Sequence, residues 1–374
     1  MPLIILVIIL ADLLSVGFVL VDIWLWKEWD RYRDTLNNDY AIRCFYGAIA
    51  LLLFIALGKA IIKALLSKRR KGEEEPRQVE PRKRETLVRP DGSHINIEHF
   101  GPEGGEPLVF VHGWNATLHE WYYQRKRFEK DRWLIFIDLP GLGKSTRPRN
   151  RDFSLSKMAG DLAAVIEHTG AVNPVLWGHS IGGMVILTLL AGKADGDTPR
   201  VKGIILEHTT YTNPVRTIIF SKLMTAIQKP VLEPICWILI ALSPLVWISR
   251  WMSYLNGNSH VFTRLLTFTG TQTPRQLDFI TRLSTMAPPA VTARGVLGMF
   301  RYDVTKDLPR INVPALVLAA NKDRLTKPEA SHYMATHLPS AQLVILAPGG
   351  HQGLVERHEE ANAAASAFLG KLQS

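Results

Sequence analysis

The chain begins with two long apolar stretches, and the remainder alternates short apolar runs with polar segments. Pro2 to Trp26 is mostly apolar, and Ala41 to Leu66 is a second such stretch that single basic residues interrupt. At about 1.5 Å per residue, each is long enough to cross a hydrocarbon core of about 30 Å. The pattern predicts a transmembrane helical hairpin over residues 1–66. A cleaved signal peptide is the alternative, but the first stretch lacks a basic start and a small-residue cleavage site.

Two carboxylates interrupt the first apolar stretch, and charged groups are costly in hydrocarbon unless they have partners. In an antiparallel hairpin that turns near Asp34, Asp12 falls close to Lys59, and Asp22 falls close to Arg43. We therefore expect two ion pairs within the membrane. A path for protons or ions is the alternative, but a lone hairpin forms no channel.

The segment 67–84 is rich in charge and proline, which is typical of a solvated linker. It carries basic clusters at 68–71 and 82–84, whereas the loop between the helices mixes basic and acidic residues. Basic flanks favour the cytoplasmic side, so we expect an integral membrane protein with its larger part in the cytoplasm. The clusters and the net charge of +10 indicate anionic lipids as partners rather than nucleic acid, for which no recognised motif is present.

Short apolar runs after residue 85 are typical of buried strands. They are Thr86–Arg89, Ile95–His99, Pro107–Val111, Trp133–Ile137, Pro174–Trp177, Val201–Leu206, Ala315–Ala320 and Gln342–Leu346. The first two runs predict a hairpin at the start of a folded domain. Neither Cys44 nor Cys236 suggests a disulfide framework, because both lie in apolar runs.

A serine stands between one of these strands and a predicted helix that includes residues 184–191. Ser180 is flanked two positions away by Gly178 and Gly182, which is the pattern of a nucleophile elbow. Small flanking residues are required because the turn holds the serine in a strained conformation against a strand and a helix. Gly183 eases the same packing. In isolation the pentapeptide could also be a plain turn.

Further residues complete the pattern of an acyl-transfer site. Trp114 follows the strand Pro107–Val111, and its amide could bind an oxyanion together with the amide of Ile181. Asp323 and His351 each follow a late strand, so the order along the chain is serine, acid, histidine. These residues predict a Ser-His-Asp triad. Two other histidines near the predicted turns, His112 and His179, have positions more typical of structural residues.

With these motifs, the chain from about Glu85 onward resembles the α/β-hydrolase superfamily. The segment Asp138–Ser145 (DLPGLGKS) is also similar to the loop after the fourth strand of that family. The resemblance implies the α/β-hydrolase fold, in which helices flank a mostly parallel sheet. The domain would divide into core segments at 85–208 and 304–374, with a lid insertion at 209–303.

The resemblance also implies a role for each site residue. Ser180 would be the nucleophile, His351 the general base and then acid, and Asp323 the residue that orients His351. Glu207, at the end of its strand, is the alternative acid. Trp114 and Ile181 would supply the oxyanion hole. No metal and no cofactor are implied, and Asp138 is expected to be structural. A serine at the elbow separates the chain from epoxide hydrolases and haloalkane dehalogenases.

The layout is most similar to membrane-anchored monoacylglycerol lipases, which implies hydrolysis of lipophilic carboxylic esters. A carbon-carbon bond hydrolase, a cofactor-free haloperoxidase and an inactive membrane scaffold are the alternatives. The oligomeric state stays open.

The lid insertion contains an almost wholly apolar segment, Val231–Ile248. Pro234 and Pro244 should break it, so we expect it to be too short to span a bilayer. It could pack on a core of its own, or it could lie in the membrane interface and admit lipid substrates. The tether favours the second interpretation.

Overall fold

A computed structural model describes residues 2–68, 75–194 and 198–373, with side chains from Leu6 onward. Two helices, α1 (Pro2–Tyr32) and α2 (Asn38–Leu66), run antiparallel along each other at the N-terminus. Phe18 and Phe54 meet edge to face between them, with ring centroids 5.6 Å apart. Both helices are long and apolar enough to cross a membrane, as the sequence predicts for a hairpin.

The strands of the described residues form one eight-stranded sheet. They are β1 (Lys83–Val88), β2 (His94–Phe100), β3 (Pro107–Val111), β4 (Trp133–Ile137), β5 (Val175–His179), β6 (Gly203–Glu207), β7 (Ala315–Ala320) and β8 (Ala341–Leu346). Their order is β1-β2-β4-β3-β5-β6-β7-β8. β2 pairs antiparallel with β1 and β4, and every pair from β4 to β8 is parallel. The α/β-hydrolase fold is thus confirmed.

The central strands β3 to β7 are buried on both faces because helices cover them, whereas the edge strand β8 is only partly buried. The remaining helices are α3 (Tyr122–Phe128), α4 (Leu155–Thr169), α5 (Ile181–Leu190), α6 (Ser221–Ile227), α7 (Glu233–Ala241), α8 (Ser243–Leu255), α9 (Asn258–Thr267), α10 (Pro274–Met286), α11 (Pro289–Met299), α12 (Pro328–His337), α13 (Gly353–Glu356) and α14 (His358–Lys371). Val109 and Val111 face a core shared with α4, α5 and α12. Leu108 and Phe110 face a second core shared with α3 and α14. The alternation follows from the two-residue period of a strand.

Helices α6–α11 lie in the segment predicted to be a lid insertion, which is called the lid below. A short π-helix, Gln228–Leu232, joins α6 to α7, so a helical run of 21 residues extends over Ser221–Ala241. By length and composition alone, this run is a third candidate membrane span. The expectation that Pro234 breaks the segment is wrong. Pro234 directly follows the π-helical turn, and the helical run continues through it to Ala241, so the break comes instead at Leu242.

The hairpin packs on the lid, and this changes the partners of its charged residues. Asp12 is buried beside α8, where it interacts electrostatically with Arg250. Lys59 Nζ lies 4.4 Å from the ring centroid of Tyr254. Among the described residues, neither Asp12 with Lys59 nor Asp22 with Arg43 forms the predicted ion pair. The prediction was wrong because it treated the hairpin as isolated, whereas the lid offers nearer partners.

Candidate active site

Ser180 lies at the sharp turn between β5 and α5, with φ 53° and ψ −116°. A Cβ atom on Gly178 would lie 2.5 Å from the backbone of Gly182, and one on Gly182 would lie 2.0 Å from the carbonyl oxygen of Val111. Neither position can therefore hold a side chain. Thr209 Oγ1 donates a 2.5 Å hydrogen bond to the Ser180 carbonyl, which holds the strained turn in place.

The three residues predicted to act together do lie together. The Oγ atom of Ser180 is 3.1 Å from Nε2 of His351. The other ring nitrogen, Nδ1, is 2.8 Å from Oδ2 of Asp323. All three residues are buried, with exposures of 0%, 2% and 4% for Ser180, His351 and Asp323. This chain of contacts has the geometry that nucleophile activation requires.

Asp323 is held by the loop that follows β7. Its Oδ1 accepts hydrogen bonds from the amides of Leu325 at 2.7 Å and Thr326 at 3.0 Å. Its Oδ2 also accepts from Thr326 Oγ1 at 2.8 Å. Burial opposes ionisation, yet His351 and these donors lower the pKa of Asp323 to about 2. The residue is therefore a carboxylate at neutral pH and can fix the proton on Nδ1 of His351.

Burial lowers the pKa of His351 below its usual value, although Asp323 acts in the opposite direction. The imidazole is therefore neutral at pH 7, with its Nε2 lone pair directed at the Ser180 hydroxyl. A neutral histidine is the form that can accept the serine proton.

Glu207, the alternative acid, lies at the end of β6. One of its carboxylate oxygens accepts a 2.9 Å hydrogen bond from the indole of Trp177. Burial raises the pKa of Glu207 to about 7. No hydrogen bond joins it to His351 among the residues that the structure describes, so the geometry favours Asp323 as the partner of His351.

The predicted oxyanion donors are the amides of Trp114 and Ile181, and neither makes a hydrogen bond within the described ranges. Ile181 is the first residue of α5, so its N–H has no partner in the helix. Trp114 follows β3, and its indole donates a 3.0 Å hydrogen bond to the carbonyl of Thr292 in α11. A Cβ atom on Gly295 would lie 1.9 Å from the same indole. The ring is thus fixed beneath the lid.

Glu120 and His179 form a buried link that the sequence reasoning missed. Oε1 of Glu120 accepts a 2.6 Å hydrogen bond from the Gly113 amide and lies 3.1 Å from Nδ1 of His179. The other ring nitrogen of His179 is 3.0 Å from the carbonyl oxygen of His351. Both ring nitrogens face acceptors, so both carry protons. Burial opposes this charge, but Glu120 raises the pKa of His179.

The link connects the loop after β3, which contains Gly113 and Trp114, to the loop that carries His351. No motif marks Glu120, which lies in a short 3₁₀ helix, Leu118–Trp121. Thr326 was also missed, although its spacing from Asp323 matches an Asx-type turn and could have indicated it. Its hydroxyl contacts the carbonyl of His208 as well, at 2.8 Å, and so ties two site loops together.

A profile of the alpha/beta hydrolase family matches residues 108–365, well over half of the chain. The chain belongs to the alpha/beta hydrolase family.

Individual relatives are consistent with an enzyme of the esterase type. The hydrolase is 28% identical over 284 residues to the pimeloyl (acyl-carrier protein) methyl ester esterase of Stenotrophomonas maltophilia, covering 75% of this chain and 97% of that protein. A 90-residue segment is 36% identical to an acetyltransferase component of the acetoin cleaving system of Pseudomonas putida, but it covers only 24% of each chain. A solved thermophilic esterase from Thermogutta terrifontis matches with a TM-score of 0.62 and 25% identity, over 78% of this chain and 100% of its own.

Two polar residues near the site of the hydrolase have structural contacts. His112 contacts the carbonyl of Gly113 at 2.7 Å through Nδ1, and its Nε2 accepts a 2.9 Å hydrogen bond from the Leu139 amide. Asp138 accepts hydrogen bonds from the amide of Leu118 and the side chain of Asn96, both at 2.9 Å. Across the described residues, no group of three or more His, Cys, Asp or Glu side chains could hold a metal ion.

A pocket lined in part by His351 opens beside the candidate triad of the hydrolase. The surface of the pocket is largely apolar. It is formed by the loop after β3, by lid helices and, unexpectedly, by α1. The lining residues include Val7, Ile8, Ala11, Trp114, Ala116, Phe262, Leu266, Ile280, Leu283 and His351. The pocket thus gives the candidate site a largely apolar surface next to His351 and Trp114.

Proposed function

We propose that this chain is a membrane-anchored serine esterase that hydrolyses carboxylic esters of lipophilic molecules. The observation that carries the proposal is the contact chain from Ser180 through His351 to Asp323, with distances of 3.1 and 2.8 Å, beside a largely apolar pocket.

In the proposed reaction, Ser180 Oγ attacks the ester carbonyl while His351 Nε2 accepts its proton. The amides of Trp114 and Ile181 stabilise the oxyanion that forms. His351 then passes the proton to the leaving alcohol, and an acyl-enzyme remains on Ser180. A water molecule, activated by the same histidine, releases the acid. Asp323 stays ionised throughout and stabilises the imidazolium form of His351.

The apolar surface of the lid is evidence for a lipophilic substrate. Helices α7 and α8 carry large apolar side chains with exposures between 37% and 65%, namely Trp237, Ile238, Leu245, Trp247, Ile248 and Trp251. Apolar surface of this kind is costly in water unless something covers it. Because α8 packs beside α1, a bilayer crossed by α1 would also meet this surface. Tryptophan is enriched at the level of lipid headgroups, which fits an interfacial lid.

We place the catalytic domain in the cytoplasm, on the basis of the basic run Lys68 to Lys71. Residues 69–71 of this run lie outside the described residues, so the sequence alone supports the orientation. The test is labelling of intact cells with an impermeant thiol reagent, with Cys44 and Cys236 replaced by Ser. Asn37→Cys in the hairpin turn should react and Val172→Cys should not. Reaction at Val172 alone would reverse the orientation.

The activity test uses the full-length protein in detergent, a fluorophosphonate probe and a panel of esters graded by acyl length. The proposal predicts labelling and turnover that rises with acyl length over part of the panel, with both lost in Ser180→Ala. Absence of labelling would indicate an inactive scaffold. Labelling without ester turnover would point instead to the carbon-carbon hydrolase or haloperoxidase chemistry.

A further inference from the structure

The N-terminal end of α1 lies against the candidate active site. We infer that α1 forms one wall of the substrate pocket and that Val7, Ile8 and Ala11 set the length of acyl chain that the site accepts. The inference rests on the proposed esterase function. Its basis is that these residues line the same pocket as Trp114 and His351.

Contacts with the lid and core hold α1 in this position. Ala11 is only 2% exposed, and Leu6 and Ile9 pack against the core of the hydrolase domain. One turn further along, the Asn258 side chain donates a 3.0 Å hydrogen bond to Ser15 Oγ. This set of contacts extends over more than two turns of the helix. The helix must be held in a fixed position if it is to limit the length of the bound acyl chain.

The second helix of the hairpin is docked on the same lid. A Cβ atom on Gly58 would lie 2.4 Å from the carbonyl oxygen of Asn256, so the two backbones are in close contact. Lys63 Nζ lies 3.4 Å from Asp278 Oδ2 in α10. The Leu66 carbonyl accepts a 2.8 Å hydrogen bond from the side chain of Gln272. The hairpin and lid therefore form one packed unit beside the site.

The opposite side of α1 is much more exposed among the described residues. Leu10, Leu13 and Leu14 are 49%, 63% and 43% exposed, whereas Ala11 and Ser15 are buried. One face of the helix thus lines the pocket and packs on the lid, while the other presents leucine to the surroundings. The two faces provide a matched pair of positions on one helix.

The position of the charged residues places this wall near a membrane boundary. The apolar stretch of α1 ends at Trp26, because Lys27 and Glu28 follow it. A span of about 20 residues, which a bilayer core requires, then reaches back to Val7. An acyl chain bound along Val7 to Ala11 would therefore lie at the level where chains of membrane lipids begin.

The test compares acyl-length profiles of full-length variants in detergent, using p-nitrophenyl esters from acetate to palmitate. Ile8→Trp should shorten the pocket and lower kcat/KM for the longest esters by about tenfold or more, since one methylene in an apolar pocket changes selectivity by roughly 10–200-fold. Ile8→Ala should move the optimum toward longer chains. Leu13→Trp, on the opposite face, is the matched control and should keep the wild-type profile.

Labelling by a short fluorophosphonate separates the possible failures. If wild-type protein is labelled but hydrolyses no ester, the proposed function fails. If Ile8→Trp is not labelled, its site is damaged and Ile8→Ala alone decides. An unchanged optimum in Ile8→Ala, or a profile for Ile8→Trp that equals the Leu13→Trp profile, would overturn the inference.

Discussion

The sheet and the hairpin–lid unit use apolar residues in opposite ways. In the sheet, Phe110 and Trp177 are fully buried between helices. In the hairpin and lid, Leu13, Leu57 and Leu245 are 63%, 57% and 65% exposed. The sheet excludes water by its own packing, whereas the hairpin–lid unit needs another apolar phase to do so. The candidate catalytic residues therefore lie on a self-packed sheet, whereas the region that covers their pocket exposes apolar surface.

Buried polar atoms without a hydrogen-bond partner occur in both regions among the described residues, and near the site they include Glu207 Oε1 and both ring nitrogens of His208. Around Ser180, the side chains of His351 and Asp323 form a continuous chain of hydrogen bonds. On α1, one oxygen of Asp12 and one of Asp22 are buried without a hydrogen-bond partner in the described part of the chain. A buried polar atom without a hydrogen-bond partner lowers stability by about 1–3 kcal/mol. Because Ser180, His351 and Asp323 form one hydrogen-bonded chain, we expect a substitution there to lower activity sharply and a substitution in the hairpin–lid unit to lower it less.

The largest effect should come from the nucleophile in the sheet region. Ser180→Ala removes the only group proposed to form the acyl-enzyme, and kcat should fall by about a millionfold. Circular dichroism should be unchanged, because the small side chain leaves the packing of the elbow intact. Ester turnover near the wild-type level would show that the nucleophile lies elsewhere.

The next largest effect separates the two carboxylates. Asp323→Asn should lower kcat by about 10⁴-fold, because the amide cannot hold His351 in the required tautomer or stabilise its charge. Glu207→Gln is the matched control and should lower kcat far less, since Glu207 bonds to Trp177 instead. Steady-state rates of both variants provide the measurement. The reverse ranking would assign the acid to Glu207.

The pH profile tests the electrostatics of the same region. In the proposed mechanism the neutral form of His351 accepts the serine proton, and burial lowers the pKa of His351 below the usual 6.5. Activity should therefore be fully present at pH 7 and should fall as the pH drops through the lowered pKa, by about tenfold per pH unit beyond it. The acidic limb of kcat/KM should have its midpoint below 6.5. A midpoint above that value would contradict a neutral, buried histidine.

A smaller and more selective effect is expected from the lid. Leu245→Asp with Ile248→Asp should lower the rate on bilayer-embedded esters by about tenfold, because two charges oppose entry into the interface. Turnover of a soluble short ester should not change. The control is Val172→Asp, on an exposed position of the hydrolase domain.

Liposome flotation and paired assays on the two substrates would decide the matter. Equal losses on both substrates would mean that the lid surface serves folding rather than access to lipid.

The smallest effect concerns the joint between hairpin and lid. Gly58→Ala places a Cβ atom 2.4 Å from the Asn256 carbonyl, so the contact must open. The cost in stability should be about 1–3 kcal/mol, as for other overpacked contacts. Gly17→Ala is the control, because nothing lies within 4 Å of its added Cβ. Thermal unfolding in detergent should separate them, and equal melting temperatures would argue against a docked hairpin.

The sequence predicted the sheet and the elbow well because both rest on local patterns. The strands Pro107–Val111, Trp133–Ile137 and Ala315–Ala320 have the predicted bounds, since each is a short apolar run closed by polar residues or glycine. Ser180 was found because a sharp turn permits few residue types at its flanks.

Contacts between distant segments could not be predicted in this way. Glu120 meets His179 only because β3 and β5 are neighbours in the sheet. Asp12 was assigned to Lys59 by counting along an isolated hairpin, whereas Arg250 comes from a helix far along the chain. The position of α1 in the pocket wall has the same origin. Such contacts depend on how helices and strands pack against each other, and a local sequence pattern does not contain this information.

The most direct test of the proposed enzyme is to trap its intermediate. Full-length protein in detergent would be mixed with a long-chain p-nitrophenyl ester, quenched in acid within the first turnovers and digested for mass spectrometry. We predict an acyl group on the peptide that contains Ser180, and no such adduct in Ser180→Ala. An adduct on another residue, or ester hydrolysis without any acylated peptide, would contradict a serine esterase centred on Ser180.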